Sequence, residues 1–215
     1  MCDSPQLIHP ESLTKCSMNI LQDENVVGHA QWLLGKFLVS DIQGAICIGR
    51  IVETEAYRGP EDAASHAFQG RRTPRTKTMY LAAGHAYVYL CYGIHRLFNI
   101  VTGPIDMPHA VLIRAIEPVW GLEIIRDRRG LSQYSVRLGN GPGLLTQALG
   151  IDLLHDGLDL SHPVSPVYVA ENKSDAPPVV SIGTRVGVSY AGEWAKRPWR
   201  FSIAKNQWVS KGKGS

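Results

Sequence analysis

The chain predicts an α+β domain: a curved, mainly antiparallel β-sheet with peripheral helices. Segments of period-two alternation outnumber those of helical period, and few βαβ alternations appear among them. Residues 25–34 form the first helical pattern, amphipathic around Val27, Trp32, Leu33 and Leu34, with Gly35 as its stop. Residues 45–57 alternate as a long strand, which puts Glu53, Glu55 and Tyr57 on one face and Val52, Thr54 and Ala56 on the other. Residues 85–92 and 97–102 read as strands joined by a tight turn containing Gly93, with Tyr92 standing at that turn, and residues 110–116 read as a further strand. Residues 118–129 read as a helix, with Pro118 in its first turn and arginines in its last. The run GNGPG at 139–143 leads into the short helix LLTQALG, and residues 167–171, 179–188 and 199–203 supply more strands. One domain over residues 21–209 is expected, with residues 1–20 poorly ordered and 210–215 a flexible tail.

With 215 residues the chain can bury roughly 70% of the surface its unfolded form exposes, so no disulfide or metal is needed to hold it. The cysteines Cys2, Cys16, Cys47 and Cys91 have no CxxC spacing and read as reduced packing residues. No window approaches the roughly 18 apolar residues of a membrane span, and the start lacks the apolar core of a signal peptide, so a cytoplasmic protein without membrane contact is expected. The histidines lack HExxH spacing and no cofactor motif occurs, so neither a metal nor a cofactor is expected.

The formal net charge of +3 is too small to mark a nucleic-acid binder by itself. Its distribution says more. Basic residues cluster at Arg71, Arg72, Arg75 and Lys77, at Arg126, Arg128 and Arg129, and at Lys196, Arg197 and Arg200 around Trp199. Acidic residues gather at Asp23 and Glu24 and at Asp152, Asp156 and Asp159. Such segregation permits a basic face against phosphates, although ordinary solvated charge explains any single cluster equally well.

Residues 49–99 bring Glu53, Glu55 and Tyr57 ahead of His66 and of Tyr87, Tyr89 and Tyr92. Read in full, RIVETEAYRGPEDAASHAF (50–68), YVYLCYGIHRLFNI (87–100), VLIRAIEP (111–118), GPGLLTQALGI (141–151) and RVGVSYAGEWAKRPWRF (185–201) resemble the alkyladenine (3-methyladenine) DNA glycosylase family over roughly residues 26–209. The resemblance implies a monomeric, cofactor-free, monofunctional base-excision enzyme, nucleoid-associated if bacterial. Its partner would be double-stranded DNA carrying damaged purines of the 3-methyladenine, 7-methylguanine, hypoxanthine and ethenoadenine class.

Matching the family motifs puts water activation on Glu55, with Arg114 and the backbone carbonyl of Val186 positioning the water. Alone, a strand glutamate is more often a solvent-face residue or an ion-pair partner. Glu53 and Glu55 together would suggest a glycosidase pair, but side chains two apart on one strand stand side by side and cannot flank a sugar from opposite faces. The resemblance also implies Tyr57 and His66 stacking on one side of a flipped base, Tyr89 on the other, and Asn99 obstructing the exocyclic amine of guanine. Tyr92 matches the intercalating wedge, and Arg71, Arg72 and Arg75 would meet the DNA backbone. His95 and Arg58 depart from the family pattern near the wedge and after Tyr57. The Gly-Pro-Gly run could present amides to a phosphate, but turn chemistry explains it without one. A nucleosidase acting on free nucleosides and a non-catalytic binder of damaged DNA are the rival readings. No lysine lies in the matched catalytic motif, so no lyase step is expected.

Overall fold

The computed structural model describes residues 7–212. Among these, nine strands form one sheet: β1 (Thr14–Lys15), β2 (Phe37–Ile42), β3 (Ala45–Arg58), β4 (Ala86–Cys91), β5 (His95–Thr102), β6 (His109–Trp120), β7 (Val167–Glu171), β8 (Val180–Gly183) and β9 (Arg200–Ile203). The order is β1-β7-β2-β3-β6-β5-β4, with every pairing antiparallel. The helices α1 (Val26–Trp32), α2 (Leu122–Arg129) and α3 (Pro142–Leu149) are few and short, as an α+β domain requires.

Strand β3 organises the molecule. β6 runs along one of its edges, while the other edge pairs first with β2 and then, at Glu53, Thr54 and Glu55, with β9, which in turn carries β8. The β3–β6 register shifts on both sides of Glu53, and such bulges bend a strand and re-aim its side chains. Alternation then divides the sheet into two faces. Val52, Ala56, Val88, Phe98, Ile100, Val111 and Ile113 enter the main apolar core with residues of α1, α2 and α3. On this side Thr54 donates to the Ala30 carbonyl of α1 at 2.8 Å. Truncating fully buried Phe98 to alanine would cost about 3–5 kcal/mol. The opposite face carries Glu53, Glu55, Tyr57, Tyr87, Tyr89, Asn99 and Arg114.

Asn25 caps α1, accepting from the Gly28 N–H at 3.0 Å. Four elements differ from the sequence expectation. Pro118 lies in β6 rather than in a helix: it opposes Gly49 beside a register shift, where its missing N–H costs no ladder bond. Gly121, at φ +73° and with the Ile46 carbonyl 2.4 Å from where a Cβ would stand, ends β6 and opens α2. The strand expected over 179–188 stops at Gly183, because Arg185 turns inward to a buried partner. Of the segment expected to be poorly ordered, residues 1–6 lie outside the described residues, whereas Thr14 and Lys15 pair with β7, and Cys16 and Met18 are buried. The expected tail also begins too early, since Ser210 is buried and bonded to Glu53.

Candidate active site

Glu53 and Glu55 are both fully buried on the same face of β3, and their partners divide between them. Glu53 accepts from Arg114 Nε at 3.1 Å, Arg200 Nε at 2.7 Å, and the Ser210 N–H and hydroxyl at 2.8 and 3.1 Å. Two cations and two neutral donors leave its oxygens little capacity for anything else. Glu55 accepts from the Tyr57 hydroxyl at 2.8 Å and the Val186 N–H at 2.7 Å, with Arg114 Nη1 at 3.3 Å. Arg114 therefore bridges the two carboxylates. Its three partners line a cavity, so fully buried Glu55 stands at the back of the cavity floor they form. Burial, and then the Glu55 charge, push the Tyr57 phenol well above its usual value, which keeps it a donor.

Above this layer is a cavity of about 560 Å³, within the usual range for small-molecule sites. Tyr57, His66, Tyr87, Tyr89 and Asn99 line it. Asn99 is fixed by donating from Nδ2 to the Tyr87 carbonyl at 3.0 Å. Tyr87 and Tyr89 lie with centroids 5.3 Å apart and planes tilted by 30°, whereas His66 meets Tyr89 edge to face at 4.6 Å and 85°. The group lying over the Tyr89 ring is the Arg75 guanidinium, 4.7 Å from its centroid. Arg75 Nη2 also stands 3.1 Å from His66 Nε2, and His66 Nδ1 lies 2.8 Å from the Tyr87 hydroxyl. Because arginine only donates, Nε2 is the acceptor and the imidazole proton sits on Nδ1. Burial, and then the Arg75 charge, lower the His66 pKa to about 4, so the ring is neutral at neutral pH.

The cavity mouth lies between the β4–β5 hairpin and the start of α3. Tyr92 and Gly93 are the central residues of the turn in the hairpin's three-residue connection, at φ +50° and +72°, closed by the Ile94 N–H to the Cys91 carbonyl at 3.1 Å. The Tyr92 side chain is 90% exposed and Ile94 65%, so the turn presents apolar groups to solvent beside the cavity. Gly141, Pro142, Gly143 and Leu144 form the facing rim, and His95 packs so close to Gly143 that a Cβ there would stand 2.9 Å from its ring.

Comparison with known proteins shows the family. Residues 20–207 match the family model of Methylpurine-DNA glycosylase (MPG). The chain belongs to this family. It is 46% identical over 182 residues to a Chlamydia pneumoniae protein, covering 84% of this chain and 91% of the relative. It is 45% identical over 188 residues to one from Desulfitobacterium hafniense, covering 84% and 91%, and 43% identical over 187 residues to one from Natranaerobius thermophilus, covering 86% and 94%. Each relative bears the name "Putative 3-methyladenine DNA glycosylase". The protein is thus an N-glycosyl hydrolase of DNA repair whose substrate partner is DNA.

Within this glycosylase the structure gathers Glu55, Arg114, Val186, Tyr57, His66, Tyr89 and Asn99 around one cavity, with Tyr92 at its mouth. Val186 meets Glu55 through its N–H. The basic clusters fare differently. Arg200 is committed to Glu53, Arg128 turns inward to the Ala148 carbonyl and Cys47 Sγ, and Arg72 pairs with Asp106 at 2.9 Å and covers Tyr80. Arg71 remains exposed.

Arg185 and Asp62 were not singled out from the sequence. Both are fully buried and ion-paired, and the Arg185 guanidinium lies against the rings of Tyr57 and Trp199 at 4.8 and 5.2 Å. Asp62 also accepts from the Arg58 and Ala64 N–H groups, shaping the loop that leads to His66. No spacing signal marks this pair, which bridges residues 123 positions apart in the chain. Among the described residues no cluster of three or more His, Cys, Asp or Glu side chains could hold a metal, and no helix is long and apolar enough to cross a membrane.

Proposed function

We propose that this protein flips alkylated or deaminated purines out of duplex DNA and hydrolyses their N-glycosidic bonds with water activated by Glu55, leaving a free base and an abasic site. The observation that carries this reading is Glu55 held by Tyr57, Val186 and Arg114 directly beneath an aromatic cavity. Water bound among Glu55, Arg114 and the Val186 carbonyl would give its proton to Glu55 as its oxygen bonds to C1′. The electrons of the breaking C1′–N bond leave with the purine. The carboxylate also offsets the positive charge that develops on the sugar.

Tyr57, Tyr89 and His66 supply flat faces for the extruded purine, and electron-rich rings favour alkylated bases that carry positive charge. Neutral His66 adds no opposing charge. Asn99, pinned to the Tyr87 carbonyl, is the side chain that guanine's exocyclic amine would meet. Tyr92 would fill the space the base leaves. The saturation of Glu53 supports a single catalytic carboxylate rather than a glycosidase pair.

Incubation with duplexes each carrying one candidate lesion, followed by alkaline cleavage at abasic sites, tests the proposal. Excision from at least one lesion duplex, competed by undamaged duplex, is expected. Hydrolysis of free nucleosides without such competition would transfer the reading to a nucleosidase.

A further inference from the structure

Arg75 stands at the junction of two concave surfaces. One is the aromatic cavity. The other is a shallow groove that shares Ser65, His66, Arg75 and Tyr190 with it and is lined further along by Arg71 and Thr73. While Arg72 in the same cluster is neutralised by Asp106, Arg75 has only uncharged partners among the described residues, the Tyr89 face, the acceptor nitrogen of His66 and the Tyr87 hydroxyl. A guanidinium is flat, cationic and able to donate in its own plane, so it matches an alkylated purine in shape and charge at the ring where such a base would stack. Arg75 on Tyr89 and a base on that same face exclude one another.

We infer, resting on the function proposed above, that Arg75 is a place-holding cation: it covers the base-stacking face of Tyr89 until a DNA phosphate in the neighbouring groove draws it away. The cavity then accepts a purine only when the DNA backbone is engaged. Arg75 is on this account a specificity-determining residue that discriminates against free bases. An exposed arginine held by an aromatic face and neutral acceptors is bound weakly enough for a phosphate to compete. A phosphate offers the guanidinium a charge-assisted, bidentate partner instead. Two ligands that both profit from the same displaced side chain bind with positive coupling, and the coupling is reciprocal.

The test uses the full chain and free 1,N6-ethenoadenine base, whose fluorescence reports stacking, titrated with and without saturating undamaged duplex. The parent protein should bind the base about tenfold more tightly when duplex is present, within the usual span of coupling between sites. Arg75→Gln should bind it tightly without duplex and show no further gain, while melting at the parent temperature because the side chain is exposed. Arg75→Lys, a cation without the plane, should fall between the two. Equal base affinity in the parent and Arg75→Gln, or a duplex effect that survives in Arg75→Gln, overturns the inference alone if lesion excision proceeds. Failure of every variant to bind the base even with duplex, together with no excision, overturns the inference and the proposed function at once.

Discussion

Arg114 touches Glu53 through Nε at 3.1 Å and Glu55 through Nη1 at 3.3 Å, so one guanidinium fixes the spacing of two buried carboxylates. The two glutamates nevertheless have different neighbours, and their amides should fail differently. Glu55→Gln should keep the fold and lesion binding, because Arg114 retains Glu53, yet lose roughly 100-fold or more in single-turnover excision. A rate within about tenfold of the parent would remove Glu55 from the chemistry.

Glu53→Gln should act on stability first. It leaves buried Arg114 and half-buried Arg200 without their carboxylate, a loss of up to about 3–5 kcal/mol for a broken buried pair. Thermal melting checks this. A Glu53→Gln protein that melts with the parent but cannot excise would instead make Glu53 a partner in catalysis.

Truncation after Val209 removes the Ser210 donors to Glu53 and the Gly212 carbonyl that accepts from Arg200 at 3.0 Å. Lower melting temperature and weaker single-turnover excision should appear together, since Arg114 loses part of its support. Unchanged values for both would show that the C-terminal segment is dispensable to the carboxylate cluster.

Acid should destabilise the protein through its histidines. The His66 pKa is lowered to about 4, by burial first and Arg75 second, while the unfolded chain titrates near 6.5. Between these values the unfolded state binds more protons, so the stability that neutral His66 contributes is whole above about pH 6.5 and declines as pH falls toward 4. Buried His29 and His109 shift in the same direction, again chiefly by burial. In NMR titration Arg75→Gln should raise the His66 value but leave it below 6.5, because the larger cause remains. A parent His66 titrating at 6.5 or above would contradict this account.

Affinity for undamaged duplex should fall steeply with salt. Arg71→Gln should reduce the slope of log affinity against log salt by about 1, as for one lost phosphate contact. Arg72, already paired with Asp106, should matter less. Equal slopes in the parent and Arg71→Gln would place the DNA path elsewhere.

Much of this was legible from period-two alternation. A strand has only two faces, so the sharing of one surface by Glu53, Glu55 and Tyr57 followed from their spacing. The bulges at Glu53 changed the pairing without exchanging the faces. What the sequence hid were choices made by distant partners. Arg200 reads as surface charge because its carboxylate lies 147 positions away, and Arg185 reads as strand for a similar reason. Arg75 shares a basic run with Arg71 and Arg72, and only the fold shows that it lies on an aromatic ring. Pro118 misled because its local signal fits a helix start equally well.

The turn at Tyr92 and Gly93 sets durability against task. A turn whose two central residues both have positive φ favours Asn-Gly, and a bulky residue held at φ +50° costs roughly 1–2 kcal/mol. An exposed tyrosine there returns little to the fold, so Tyr92→Asn should yield a hardier protein, and under the function proposed above one that holds an extruded base less well. A variant library sorted on heat survival alone would therefore enrich asparagine at this position and, under the proposed function, collect molecules poor at excision. Neutral drift under relaxed selection for repair should erode the enzyme from this position while leaving its melting curve intact or improved.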